Sequence, residues 1–223
     1  MAGLLSICVG HMGRSAVPFE GGFLRLFPRC VESLLTSIDQ LDRAGIHPAV
    51  NMELVVADWP VPGEQPVENW LQPLVAGRLA TVIVEPGGTY NRGRGRNEAA
   101  RAAVGENLFF LDTDMLVPPA VFTRGFENLK RDKVFFPIYR RFTNVQEVRA
   151  LAEHGTGNCF LSAAHFLESG GWPEQEAWGR EDTDFWRYWQ KRKLAVREPV
   201  DGFLHQWHPL ARDHKNFRQP ART

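Results

Sequence analysis

Asn107-Leu108-Phe109-Phe110-Leu111-Asp112-Thr113-Asp114 decides the architecture. A short apolar run ends abruptly in two carboxylates, and Pro118-Pro119 forces a turn soon afterwards. Runs of this kind read as buried parallel strands. Earlier in the chain, Leu4–Val9, Met52–Asp58 and Thr81–Val84 have the same character. Between them, Leu24, Phe27, Val31, Leu34, Leu35, Ile38 and Leu41 recur at helical spacing, and Pro28 places the helix start near itself. A short helix is expected over Val67–Ala76 and another over Arg96–Val104, with a Gly/Pro-marked loop from Gly13 to Gly22. Strand–helix alternation predicts an α/β fold with a mostly parallel central sheet covered by helices. Ligands bind such sheets beyond the carboxyl ends of the strands. Asp58, Glu85, Asp112 and Asp114 all fall at those ends.

The second half is less regular. Lys133–Tyr139 reads as a strand in which Pro137 hints at an edge or a bulge. Cys159–Leu161 is a short strand leading into a helix from Ala163 to Ser169, and Gly170–Pro173 is a turn. Asp182 or Thr183 is expected to cap a helix running to Lys193, and Ala195–Arg197 precedes a last segment at Phe203–His205. The pattern implies one domain over 1–223, with a nucleotide-binding half to about 115 and a catalytic half beyond it.

The 223 residues carry 26 Lys+Arg against 26 Asp+Glu and are 43% hydrophobic, which excludes disorder and a nucleic-acid binder working through bulk charge. No apolar run approaches the roughly 18 residues of a membrane span. Met1–Arg14 has neither a basic leader nor a small-residue cleavage site, so no signal peptide is expected. Cys8, Cys30 and Cys159 are odd in number and set in apolar stretches, which reads as reduced core thiols in a cytoplasmic protein.

Four constellations carry candidate chemistry. Asp112 and Asp114 at a strand end offer hard oxygens to Mg²⁺ or Mn²⁺, one as ligand and the other toward a sugar hydroxyl or metal-bound water. In Trp178-Gly179-Arg180-Glu181-Asp182-Thr183-Asp184, a carboxylate can take a hydroxyl proton while Trp178 offers a flat wall to a sugar ring. Three acids at a helix start also suit the helix dipole, which is the plainer reading of that segment. His205 and His208, three apart, can converge with Asp114 on one ion, and imidazole tilts the choice toward Mn²⁺. In Tyr90-Asn91-Arg92-Gly93-Arg94-Gly95-Arg96-Asn97, arginines spaced by glycines form a flexible loop at a helix N-terminus suited to a diphosphate. His11, His47, His154 and His165 read as structural.

In this order the motifs resemble the metal-dependent glycosyltransferases of the GT-A fold, and within them the β-1,4-galactosyltransferase family. Tyr90-Asn91-Arg92 is similar to the family's Phe-Asn-Arg segment, and Asp112-Thr113-Asp114 to its Asp-Val-Asp motif. Gly155-Thr156-Gly157, Phe166–Gly171 and Trp178–Asp184 are similar to its acceptor and catalytic segment. His205-Gln206-Trp207-His208 is similar to the segment supplying further metal ligands, and Arg212–Asn216 to the family's next stretch of chain. The likeness covers Thr81 to Asn216. His205 stands where methionine is common, and Arg180 replaces a glycine.

The resemblance implies a hexosyltransferase that moves Gal or GalNAc from a UDP-sugar to a glycan or glycoconjugate by inverting single displacement. Mn²⁺, with Mg²⁺ as an alternative, would be held by Asp114, His208, His205 and Asp112. Asp58, Tyr90, Arg92, Asp112 and Thr113 would hold the donor nucleotide. Asp182 would be the base, seconded by Glu181. Trp178, Gly179, Asp184 and Gly157 would receive the acceptor and sugars, with Gly155 and Gly157 leaving room for backbone contact. The location implied is cytoplasmic or peripheral at the inner face of a bacterial membrane. Rival classes are a retaining transferase of the same fold, a sugar-1-phosphate nucleotidyltransferase, a metal-dependent hydrolase and a non-catalytic sugar-binding module. The nucleotidyltransferase fits poorly because Gly10-His11-Met12-Gly13-Arg14 is poor in glycine and has no lysine.

Overall fold

The computed structural model describes residues 3–13, 15–46, 51–143, 148–151, 155–175 and 180–208. Chain order begins with β1 (Leu5–His11), β2 (Val17–Phe19), β3 (Gly22–Leu24), α1 (Leu26–Arg43), β4 (Met52–Asp58) and α2 (Val67–Val75). It continues through β5 (Ala80–Val84), α3 (Arg92–Ala102), β6 (Asn107–Phe110), β7 (Met115–Leu116) and α4 (Pro119–Lys130). The last elements are β8 (Val134–Phe142), β9 (Val148–Leu151), β10 (Cys159–Ser162), α5 (Ala163–Ser169), α6 (Glu181–Lys191) and β11 (Ala195–His205).

Among the described residues one sheet has nine strands, eight of them in the order β5-β4-β1-β6-β10-β8-β11-β7, with β9 paired to β8. β5, β4, β1 and β6 are mutually parallel, as their continuous apolar runs require for strands buried on both faces. β10 enters antiparallel to β6, β11 pairs parallel with β8, and β7 pairs antiparallel with β11.

Alternation of side chains divides the core in two. Leu5, Ile7 and Val9 join α1, α2 and α4 on one face. On the other, Cys8, Val55 and Phe110 meet Ala99, Phe166, Phe185, Trp189 and Trp172. Phe160 stacks on Phe109 with ring centroids 4.0 Å apart, and both are fully buried. We expect Phe160→Ala to cost about 3–5 kcal/mol. Denaturant unfolding checks this, through a lowered midpoint at unchanged slope. The three cysteines are free and buried, and burial pushes each thiol well above its usual range. No helix among the described residues is long and apolar enough to cross a membrane.

Several boundaries differ from the sequence reading. The Gly13–Gly22 loop contains the β2–β3 hairpin, turned by Glu20 (φ 44°) and Gly21 (φ 78°). Strands of three residues are too short for alternation to register. The arginine-rich segment opens α3 and is no flexible loop. Asn91 caps it by accepting from the Arg94 backbone N–H. Its glycines serve close packing, since a Cβ at Gly95 would lie 2.8 Å from the Tyr90 ring and 3.1 Å from Gly10 Cα. Pro137 faces Glu198 of β11 on one side. On the other it falls between Phe135, paired with β10, and Arg140–Phe142, paired with β9, a gap in the ladder that suits a residue without an N–H. The N-cap of α6 is Arg180 at φ 94°, and Asp182 lies inside the first turn.

Candidate active site

β7 is two residues long, yet it places the site. Its antiparallel pairing sets Met115 opposite His205, and the Gln206 N–H donates to the Asp114 carbonyl at 2.8 Å. Gln206 is itself fixed, its Nε2 donating to the Leu26 carbonyl at 2.9 Å. The side chain before β7 therefore meets two histidines, one ending β11 and one just beyond it. His205 Nε2 lies 3.3 Å and His208 Nε2 3.2 Å from Asp114 Oδ2. The three form one group whose ligand atoms all lie within 4.8 Å of one another.

A cation fits this trio. Two imidazole nitrogens are aimed at one carboxylate, and Asp114 Oδ1 is buried with no hydrogen-bond partner among the described residues. One carboxylate and two imidazoles form a mixed hard and borderline donor set that suits a divalent transition-metal ion and falls short of the all-oxygen shell Mg²⁺ prefers. Burial acts to raise the Asp114 carboxyl, but His205 and His208 hold it well below the usual carboxylate range. Burial likewise acts to lower His205, and Asp114 reverses that and carries it above its ordinary value.

A raised folded value means that protonated His205 stabilises the metal-free protein fully below about pH 6.5, and this is lost as pH rises through the raised value. A metal must displace that proton. We expect the rise in Tm on adding Mn²⁺ to be small near pH 5.5 and larger near pH 8, read by thermal melts with and without the ion.

Asp112 is outside the trio and its oxygens are taken by the protein. Arg96 Nη2 donates to its Oδ1 at 2.7 Å, and Asn158 Nδ2 to its Oδ2 at 3.3 Å. Thr113 is half-buried in the turn before β7. Glu181 is buried, with Oε1 3.7 Å from Arg92 Nη1 and 3.8 Å from Arg96 Nη1. Held between two guanidinium groups at the first turn of α6, it ties the start of that helix to α3. Asp182 is half-buried, with Oδ1 accepting from the Thr183 backbone N–H at 2.6 Å. Asp184 accepts from Gln175 Nε2 at 3.2 Å.

At the same carboxyl ends, two strands away on β4, Asp58 is buried and accepts from His11 Nδ1 at 2.7 Å, while Ser15 Oγ lies 3.1 Å from His11 Nε2. His11 thus orients Asp58, a link available only from the β1–β4 register that places them side by side. Tyr90 packs edge-on to Trp59 at 5.1 Å. Glu85 is exposed at the sheet edge. Gly157 and Gly155 are points of close packing: Cβ atoms there would strike Arg96 and Asp112 in the first case and the Tyr139 ring in the second. Trp178 and Gly179, with His47, His154 and Arg212–Asn216, lie outside the described residues.

Tyr139 is the residue that sequence reading missed. Its ring stacks on His205 at 5.6 Å. Burial pushes its phenol up, followed by the fields of Asp112, Asp114 and Asp182, while Arg92 acts against them. Within an apolar strand pattern, a tyrosine gives no sign of the face it occupies.

Residues 26–201 match the model of glycosyl transferase family 2. The chain belongs to that family. It is 27% identical over 156 residues to chondroitin sulfate N-acetylgalactosaminyltransferase 1 of Mus musculus, covering 56% of this chain and 28% of that protein. It is 33% identical over 149 residues to chondroitin sulfate N-acetylgalactosaminyltransferase 2 of Homo sapiens, covering 53% and 27%. The chain thus spans under a third of the length of these curated relatives. In fold it is similar to S. aureus TarS 1-349, with TM-score 0.67 and 12% identity over 91% of this chain and 60% of that one. It is similar also to the mannosyltransferase PcManGT from Pyrobaculum calidifontis in complex with GDP-Man and Mn²⁺, with TM-score 0.68 and 14% identity over 92% and 57%. The family 2 chain is a glycosyltransferase of the GT-A fold. The motif resemblance holds at the level of the GT-A fold and family 2.

Proposed function

We propose that this family 2 chain transfers a sugar, Gal or GalNAc, from a UDP-sugar to a hydroxyl of a glycan or glycoconjugate, with inversion and with Mn²⁺ as cofactor. The convergence of Asp114, His205 and His208 at the strand ends carries this reading. The names of the N-acetylgalactosaminyltransferase relatives and the UDP and UDP-GlcNAc complexes of TarS support a UDP-sugar donor.

Asp114, His205 and His208 would hold the cation, which would supply Lewis-acid neutralisation of the departing diphosphate. Asp58 faces the base or ribose, fixed by its bond from His11. Tyr90 and Arg92 flank the nucleotide and its phosphates, with Asp112 and Thr113 at the ribose and sugar. Asp182 takes the acceptor's proton on its carboxylate. The acceptor oxygen forms its bond to the anomeric carbon as the bond from that carbon to the phosphate oxygen breaks, and UDP leaves. Trp178, Gly179 and Asp184 frame the acceptor. Glu181, held by two arginines, sets the start of α6.

Calorimetric titration of UDP, GDP and CMP, each with Mn²⁺, Mg²⁺ or a chelator, tests the reading. Binding of UDP alone that depends on Mn²⁺ is expected. Binding that ignores the metal, or a preference for GDP, would overturn it. A product that keeps the donor's anomeric configuration would overturn inversion.

A further inference from the structure

Arg96 takes no part in the chemistry above, yet it is a deeply enclosed cation of the site. Its side chain is 5% exposed, and its guanidinium lies 4.4 Å over the Trp172 ring. Trp172 is in turn pinned by Asn97, which accepts from its N–H and donates to its carbonyl. On one side Arg96 Nη2 donates to Asp112 Oδ1 at 2.7 Å. On the other, Nη1 faces Glu181 Oε1 at 3.8 Å, where neither atom makes a hydrogen bond among the described residues. Burial works against the guanidinium charge, and Asp112 and Glu181 restore it. Space is kept for this pair, because a Cβ at Gly157 would lie 2.6 Å from Arg96 Nη2 and 2.7 Å from Asp112 Oδ2.

Three separate parts of the chain meet at this one planar cation: the helix after β5, the turn after β6 and the start of α6. Without it, the half-exposed carboxylate of Asp112 and the buried one of Glu181 each lose a counter-ion, and only Glu181 does so in a poorly solvated place. The planar guanidinium sets one end on Asp112 Oδ1 and the other against Glu181 while lying over the Trp172 ring, a geometry that a point charge does not hold.

We propose that Arg96 is a positioning residue that sets Asp112 for donor binding and ties it to the start of α6, so that the donor site and the base are held in one register. This rests on the donor reading above. The test is titration of UDP with Mn²⁺ into wild type, Arg96→Lys, Arg96→Gln, Asp112→Asn and the Asp112→Asn/Arg96→Gln double variant, with thermal melts of each in the absence of ligand. Arg96→Lys keeps a cation but loses the fork, and is expected to weaken UDP about tenfold or more. In the Asp112→Asn background the loss caused by Arg96→Gln should largely vanish, because the two act through one contact. A purely structural role would lower Tm and leave both the affinity and its dependence on Asp112 unmoved. Should Arg96→Gln fail to fold, Arg96→Lys alone decides. Arg96→Lys binding UDP within twofold of wild type overturns the proposal, as do additive losses in the double variant. Wild type that takes no UDP with Mn²⁺ overturns the donor reading and this inference with it, whereas wild type binding matched by Arg96→Lys overturns this inference alone.

Discussion

Asp114→Ala should abolish Mn²⁺-dependent UDP binding, the largest effect expected for any single side chain here. Both imidazoles are aimed at its Oδ2, so its removal takes away one ligand and the common anchor of the other two. A cation facing two neutral imidazoles loses the one anionic ligand of the trio. On the scale of losses from metal shells, where even outer partners cost 10–100-fold, affinity should fall by about 100-fold or more. Calorimetry with Mn²⁺ and UDP together reads it directly. Asp114→Ala binding both as tightly as wild type would place the metal elsewhere. His205→Ala should cost less, because Asp114 and His208 survive it. The fold should stand in both variants, since the Asp114 carboxylate helps stability chiefly through its pairing with the histidines. That contribution is present above the ordinary carboxylate value and lost as pH falls through its lowered one.

The second large effect is expected at Asp182. Asp182→Asn keeps the shape and the bond from the Thr183 N–H but cannot accept a proton. Turnover should fall by about 10²–10⁴-fold while UDP and Mn²⁺ bind as before. The measurement is a kcat and Kd pair on the same preparation. Near-normal turnover in Asp182→Asn would remove the base assignment. Glu181→Gln separates the neighbours. Its carboxylate is buried between Arg92 and Arg96, so the change should act on stability and the placement of α6 more than on proton transfer.

Much of the fold was legible in the sequence, because parallel strands buried on both faces must be continuously apolar and α1 must carry an apolar stripe. Met52–Asp58 and Ala163–Ser169 lie where the pattern put them. The β2–β3 hairpin was not legible, since its strands are too short to show a period. The arginine-rich segment misled through its glycines. In sequence they read as flexibility, whereas in the fold they are thin places, Gly95 where α3 crosses Gly10 and Tyr90 and Gly93 where it meets the backbone at Pro173.

The candidate site divides the same way. Asp114, His205, His208, Asp182 and Arg92 were named by residue type and by position at strand ends and a helix start, and these are local properties of a chain. The sequence alone determined the sheet, the end of it that carries the candidate chemistry, and the classes of group found there. Only the tertiary structure decided which of those groups meet. The two-residue pairing of β7 with β11 joins Asp114 to the histidines, and the β1–β4 register gives Asp58 to His11. Arg96 is paired with Asp112, and Tyr139 comes to lie against His205. Partner choice across a separation such as the 47 residues between His11 and Asp58 is fixed by strand register and packing, which no local pattern of residues encodes.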